Sequence, residues 1–150
     1  MEISIEQIKK LREQTGASVI ECRKALQGGK GDGEKAKEIL KENLSGLINK
    51  KSQEEAKEGL IEVYLHVNGK IGALLELNCQ TDFVAKNSEF KTLAHDLAMQ
   101  IAATNPVNVE VLLTQPFIKD PNKTIGNLID EHIATMKENI KISRFVRYQV

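Results

Sequence analysis

Residues that could do chemistry are sparse in this chain of 150, and most of them read as packing. Cys22 and Cys79 fall on the apolar sides of a predicted helix and a predicted strand, where cysteine behaves as a small hydrophobe. Two cysteines are too few for a disulfide framework and fit no zinc spacing, so a reducing compartment is expected. His66, His95 and His132 lie on different predicted elements, and no pair has the i, i+4 spacing of a helical metal site. His132 falls on an apolar stripe and reads as a hydrogen-bonded core histidine. Gly28-Gly29-Lys30-Gly31 has no strand before it and no Ser or Thr after its lysine, so it reads as a helix-to-helix turn rather than a phosphate loop. Glu54-Glu55 and Asp130-Glu131 are adjacent carboxylates on polar faces, with no pocket in which to transfer protons. Arg144 and Arg147 sit beside Phe145 and Tyr148, a pattern that can bind single-stranded RNA. With 4% aromatics and 21 basic against 21 acidic residues, a salt-bridged strand edge is the better reading. No catalytic residue, metal or cofactor is expected, and no direct contact with nucleic acid.

What stands out is Thr81-Asp82-Phe83-Val84, a bulky aromatic beside a carboxylate at a junction from strand to helix. Phe83 could fold down to cap a core while Asp82 holds the helix start. Pattern alone favours that packing reading; the alternative is an exposed anchor that fills a partner's pocket, flanked by an acid that competes for a cation or a backbone donor. Composition does not decide between the two.

The elements that must position these residues follow from periodicity. Ser4 with Gln7 and Ser18 with Glu21 are capping boxes. They open helices carrying Ile5, Ile8 and Leu11, and Val19, Cys22 and Leu26, and ending at Thr15-Gly16 and at the glycine cluster. Asp32 caps a third helix with Ala36, Ile39, Leu40, Asn43, Leu44 and Leu47 on its stripe. Three helices over residues 1–47 bury only a small core, the build of a docking module. Residues 48–58 are polar with mixed charge and mark a boundary, as a linker or a solvated helix. Over 59–150 the period first changes to two. Ile61, Val63, Leu65 and Val67 form one row, Asn68-Gly69 a turn, and Ile71, Ala73, Leu75, Leu77 and Cys79 an inward row, so the pair is expected as a hairpin with one face buried.

A long helix then carries Phe90, Leu93, Ala94, Leu97, Ala98 and Ile101 and stops before Asn105-Pro106. Val107 to Leu113 is apolar enough for a strand, and Asp120-Pro121-Asn122 reads as a turn. Thr124 caps a helix with Ile125, Leu128, Ile129, Ile133 and Met136. Ile140, Ile142, Val146, Tyr148 and Val150 share one parity and suggest a last strand, with Arg144 the exception. The class expected is α+β: a three-helix module, then an antiparallel sheet of about three strands covered by helices. No stretch is apolar enough to span a bilayer, and the N-terminal residues resemble neither a secretory signal nor a transit segment, so a cytoplasmic protein is expected.

The string Leu75-Glu76-Leu77-Asn78-Cys79-Gln80-Thr81-Asp82-Phe83-Val84-Ala85 resembles the central signature of the elongation factor Ts family, the guanine-nucleotide exchange factors of elongation factor Tu. Leu11-Arg12-Glu13-Gln14-Thr15-Gly16-Ala17, then Cys22-Arg23-Lys24-Ala25-Leu26 and Gly31-Asp32 with Glu34-Lys35-Ala36, resemble its N-terminal signature. Glu138-Asn139-Ile140 with Arg144-Phe145 is similar to its C-terminal strand. The resemblance implies a module like the ubiquitin-associated domain followed by a dimerisation-type core. It implies that Thr81, Asp82, Phe83 and Val84 enter the GTPase beside its nucleotide, Phe83 as a wedge and Asp82 disturbing the magnesium environment, and that Leu11, Arg12, Val19 and Ile20 grip the GTPase domain. Such a factor makes and breaks no covalent bond and is not an enzyme in the hydrolytic sense. An adaptor without exchange activity and an RNA-binding protein are the competing classes.

The chain departs from the family in three places. Only eight residues separate Pro106 from Gln115, where the family commonly has another helical segment. Val19-Ile20 stands where bulky pairs such as Met-Met are usual, and Gln100 where some relatives have His. Long relatives hold two core halves in one chain, so a single half implies pairing with a second copy.

Overall fold

A computed structural model describes residues 2–150; Met1, with which the first segment begins, lies outside the described residues. The chain divides into two compact units, the first ending at Asn49 and the second spanning Lys50–Val150.

The first unit is built from α1 (Ile5–Thr15), α2 (Val19–Gly28) and α3 (Gly33–Lys51). Both capping boxes form. The Ser4 hydroxyl accepts from the Gln7 amide at 3.1 Å while Gln7 Oε1 accepts from the Ser4 amide at 2.9 Å, and Ser18 and Glu21 repeat the exchange. Asp32 Oδ1 accepts from the Glu34 and Lys35 amides at the start of α3. Leu11, Cys22, Ala25, Leu26 and Ala36 make the core, with Ile3, Ile8, Ala17, Ile39 and Leu40 packed around it. Ile5, Val19 and Asn43, expected on the stripes, are exposed, because so small a core covers only part of each helix. The third helix also runs past its expected end to Lys51, well into the segment read as linker.

The second unit holds a three-stranded antiparallel sheet in the order β1 (Glu58–Leu65), β2 (Ile71–Cys79), β5 (Lys141–Gln149). The short turn α4 (Asp82–Ala85) follows β2, and α5 (Ser88–Thr104) packs on β1 and β2. Every residue of the expected α5 stripe, Phe90 to Ile101, is buried, and Asn105 ends the helix in the left-handed region at φ 48°. Val107 to Leu113 is not a strand. Asn108 Oδ1 accepts from the Val111 amide at 2.8 Å and opens the helix α6 (Val109–Thr114), so a cap overrides the strand preference of the valines. The small hairpin β3 (Pro116–Phe117) and β4 (Asp120–Thr124) turns at Ile118-Lys119, not at Asp120-Pro121-Asn122, which lies within β4. Thr124 caps α7 (Ile125–Met136) as expected.

Two rows of the sheet differ from the expected pattern. Odd-numbered residues of β1 lie opposite even-numbered residues of β2 and even opposite odd, as in Val63 with Leu74 and Glu62 with Leu75. The two rows read as one buried face therefore belong to opposite faces. Leu60, Glu62 and Tyr64 share the inner face with the buried Ala73, Leu75 and Leu77, while Ile61, Val63 and Leu65 are exposed on the outer face. Along β5 the register shifts opposite Glu76 and Leu77, so that Ile142 points inward while Arg144, Val146 and Tyr148 lie on the outer face. One extra residue, Ser143, changes the parity, and Arg144 is no exception once that bulge is counted.

Candidate partner-docking turn

At the end of β2 the chain makes one turn of helix before α5 begins. Thr81 caps it, its hydroxyl accepting from the Val84 amide at 3.3 Å. Because the turn is so short, its residues point in divergent directions. Val84 and Ala85 are buried, whereas Phe83 is 84% exposed. A Phe that faces water does not cap a core, and its exposure rules out the packing reading of the sequence. Asp82 does not hold the helix start either. Its carboxylate pairs with Lys86 Nζ at 2.8 Å, one turn on, and that carboxylate raises the Lys86 pKa above its ordinary value. An exposed i, i+4 pair is weak and readily exchanged for another partner.

The base of the turn is held by residues far away in sequence. Glu138 Oε1 accepts from the backbone amides of Gln80 and Thr81, both at 3.0 Å, and Oε2 accepts from the Thr81 hydroxyl at 2.7 Å. The Gln80 side-chain amide donates to Glu54 and its oxygen accepts from the Asn139 backbone amide; Asn139 Nδ2 donates to the Glu54 carbonyl at 2.8 Å. Hydrogen bonds from Lys51 first and Gln80 second lower the Glu54 pKa. Glu54 and the buried Ala56 thus tie part of the expected linker into the second unit. The Cys79 thiol donates to the Thr81 carbonyl at 3.2 Å, and burial pushes its pKa up to about 11.

Of the residues implied in the first unit, Arg12, Val19 and Ile20 are exposed, the last two by 49% and 66%. Leu11 is not available to a partner. It is 3% exposed in the module's core, where α1 packs on α2, and holds the surface residues in place from beneath. The other candidates are engaged locally: His132 Nδ1 with the Leu128 carbonyl, Arg144 with Glu76 at 2.9 Å, and Arg147 with the Ala102 carbonyl at 3.0 Å. Gln100 is fully buried and satisfied by Gln115, the Pro116 carbonyl and the Ile118 amide, so it serves to fasten β3 to α5. Among the described residues no group of His, Cys, Asp and Glu could hold a metal ion, and no helix is long and apolar enough to cross a membrane.

Sequence reasoning identified the turn but not Glu54, Gln80 and Glu138 as its supports. No spacing rule links Glu54 to Gln80, 26 residues on, or Glu138 to Gln80 and Thr81, 58 and 57 residues back, and only the family-like strings that contain Gln80 and Glu138 hinted that they matter.

The comparisons with known proteins agree with the resemblance. The family described as Elongation factor TS matches residues 5–110 and 80–150. Elongation factor Ts of Thermodesulfovibrio yellowstonii is 41% identical over 194 residues, covering 100% of this chain and 97% of that protein. The Thermotoga maritima protein is 40% identical over 193 residues with the same coverage, and that of Rubrobacter xylanophilus 36% over 195 with both chains wholly covered. Matches of such length to a chain of 150 residues mean that these relatives carry additional residues within the matched span. Matched from end to end and by the family as a whole, the chain belongs to the elongation factor Ts family of translation elongation factors.

Proposed function

We propose that the protein is the guanine-nucleotide exchange factor of elongation factor Tu, docking through its three-helix module and inserting the Thr81–Val84 turn beside the GTPase's nucleotide. The observation that carries this reading is Phe83, displayed to water on a turn whose Val84 and Ala85 are buried and whose Thr81 is clamped by Glu138. In the complex Phe83 acts as a wedge. Asp82 exchanges its weak pairing with Lys86 for groups of the magnesium and phosphate site. Arg12, Val19 and Ile20 supply the grip, and Leu11 supports them.

Exchange then follows from linkage. A factor that prefers the GTPase with loosened magnesium and phosphate contacts weakens nucleotide binding by the same coupling free energy by which nucleotide weakens its own binding. No covalent bond changes, so the protein is not an enzyme in the hydrolytic sense, and it works where translation does, in the cytoplasm. The outer sheet face is the site for a second copy of this chain.

The test is release of a fluorescent GDP analogue from elongation factor Tu. Removing a Phe side chain from water contributes about 1.5–3 kcal/mol, so Phe83→Ala is expected to slow stimulated release roughly 10- to 100-fold. Factor binding should also weaken as magnesium and GDP rise. Binding indifferent to both, with no faster release, would identify an adaptor instead.

A further inference from the structure

Resting on the exchange reading, we propose that Glu138 is the positioning residue of the docking turn, acting on nucleotide release through Phe83 without touching the partner. Glu138 follows Lys137, which ends α7 in the left-handed region at φ 60°, and precedes β5. Its backbone is thus fixed on both sides by the fold. Its carboxylate takes two backbone amides and the Thr81 hydroxyl at once. That hydroxyl relays the restraint, because it also accepts from Val84 on the far side of Phe83. An 84% exposed ring has little packing of its own, so its direction is inherited from the backbone between Thr81 and Val84. Three hydrogen bonds accepted by one side chain restrain that backbone. A turn freed from Glu138 would have to be ordered during insertion, which slows the step after docking. The docking surface of the first unit is left intact.

The experiment measures GDP release from elongation factor Tu against concentration of the full-length factor, for the parent, Glu138→Ala, Glu138→Gln, Glu138→Asp, Phe83→Ala and the Glu138→Ala/Phe83→Ala double variant. Glu138→Ala is expected to lower the saturating rate about tenfold and to move the half-saturating concentration less than about threefold, while Glu138→Gln, which keeps an acceptor for the two amides, recovers most of the rate. In the Phe83→Ala background the second change should cost less than about twofold, since both act through one ring. Amide hydrogen exchange at Gln80 and Thr81 should quicken in Glu138→Ala while the core of α5 stays protected. Should Glu138→Ala fail to fold, Glu138→Asp keeps the charge but shortens the reach, and it should still slow release.

An unchanged rate in a folded Glu138→Ala or Glu138→Asp, a Glu138→Gln as slow as Glu138→Ala, additive losses in the double variant, or unchanged exchange at the two amides overturns the proposal. A parent that does not speed GDP release overturns the exchange reading itself, and the two failures are distinguished by that first measurement.

Discussion

Cys79 lies two residues before Thr81, and its environment makes a checkable statement about how well the base of the turn is sealed. Burial first, and the Glu138 carboxylate second, raise its thiol from an ordinary 9.0 to about 11. The folded state therefore holds this proton more tightly than the unfolded chain. The stability gained from holding it is complete below about pH 9 and is lost as pH rises toward the folded value. At pH 8 the native thiol is protonated and covered, so iodoacetamide should leave Cys79 unmodified until urea unfolds the second unit. Rapid modification of native protein, followed by peptide mass spectrometry, would show that the base of the turn opens on its own. Residue types and spacing made the turn legible, because a bulky aromatic beside a carboxylate stands at a junction from strand to helix. They could not choose between a buried and an exposed Phe83, since that depends on how Val84 and Ala85 take the inward positions. Nor could they supply Glu138, whose partners are 57 and 58 residues away.

At the scale of elements, the critical position is where β1 enters the sheet. Gly59 has φ +147°, and a Cβ built there would stand 2.1 Å from the Leu77 carbonyl oxygen and 2.8 Å from Asn78 Cα. The obstruction is backbone of the paired strand, which cannot move without breaking the ladder that ends at Cys79. Gly59→Ala is thus expected to destabilise the second unit by about 3 kcal/mol or more, read as a lower urea midpoint at unchanged slope. Wild-type stability would mean that β1 can shift its register. Helix starts marked by a capping residue, such as Ser4, Ser18 and Thr124, were legible to within a residue. The strand rows were not, because β1 is apolar on both faces: Leu60 and Tyr64 look inward, while Ile61, Val63 and Leu65 look outward. An alternating row shows that a strand has two different faces, and only the pairing register says which one is covered. The bulge at Ser143 and the Asn108 cap are one-residue decisions of the same kind, each outweighing the pattern around it.

At the scale of the molecule, the register places Ile61, Val63 and Leu65 of β1, Leu74 of β2, and Val146 and Tyr148 of β5 together on the exposed outer face of the sheet. A contiguous apolar face crossing all three strands is more than the scattered hydrophobics of an ordinary surface. A second copy is the occupant suggested by the family resemblance, in which longer chains hold two core halves. In such a pairing the same face on both copies would meet itself about a two-fold axis and close the assembly at a dimer. Arg144 and Glu76, already paired at 2.9 Å on that face, would enter the interface as a neutral unit rather than as two charges needing new partners. Light scattering over about a hundredfold range of concentration should then show a mass rising from 16.7 kDa toward twice that value. Val63→Glu puts a carboxylate on the outer face opposite Leu74, where a monomer tolerates it in water and a dimer would have to bury it. That variant should remain at 16.7 kDa with its helices intact, and a parent that stays at 16.7 kDa at every concentration refutes the pairing. The docking turn lies beyond the end of β2, outside the rows that form this face. A monomeric Val63→Glu should therefore still speed GDP release per chain, which separates self-association from exchange and makes each independently testable.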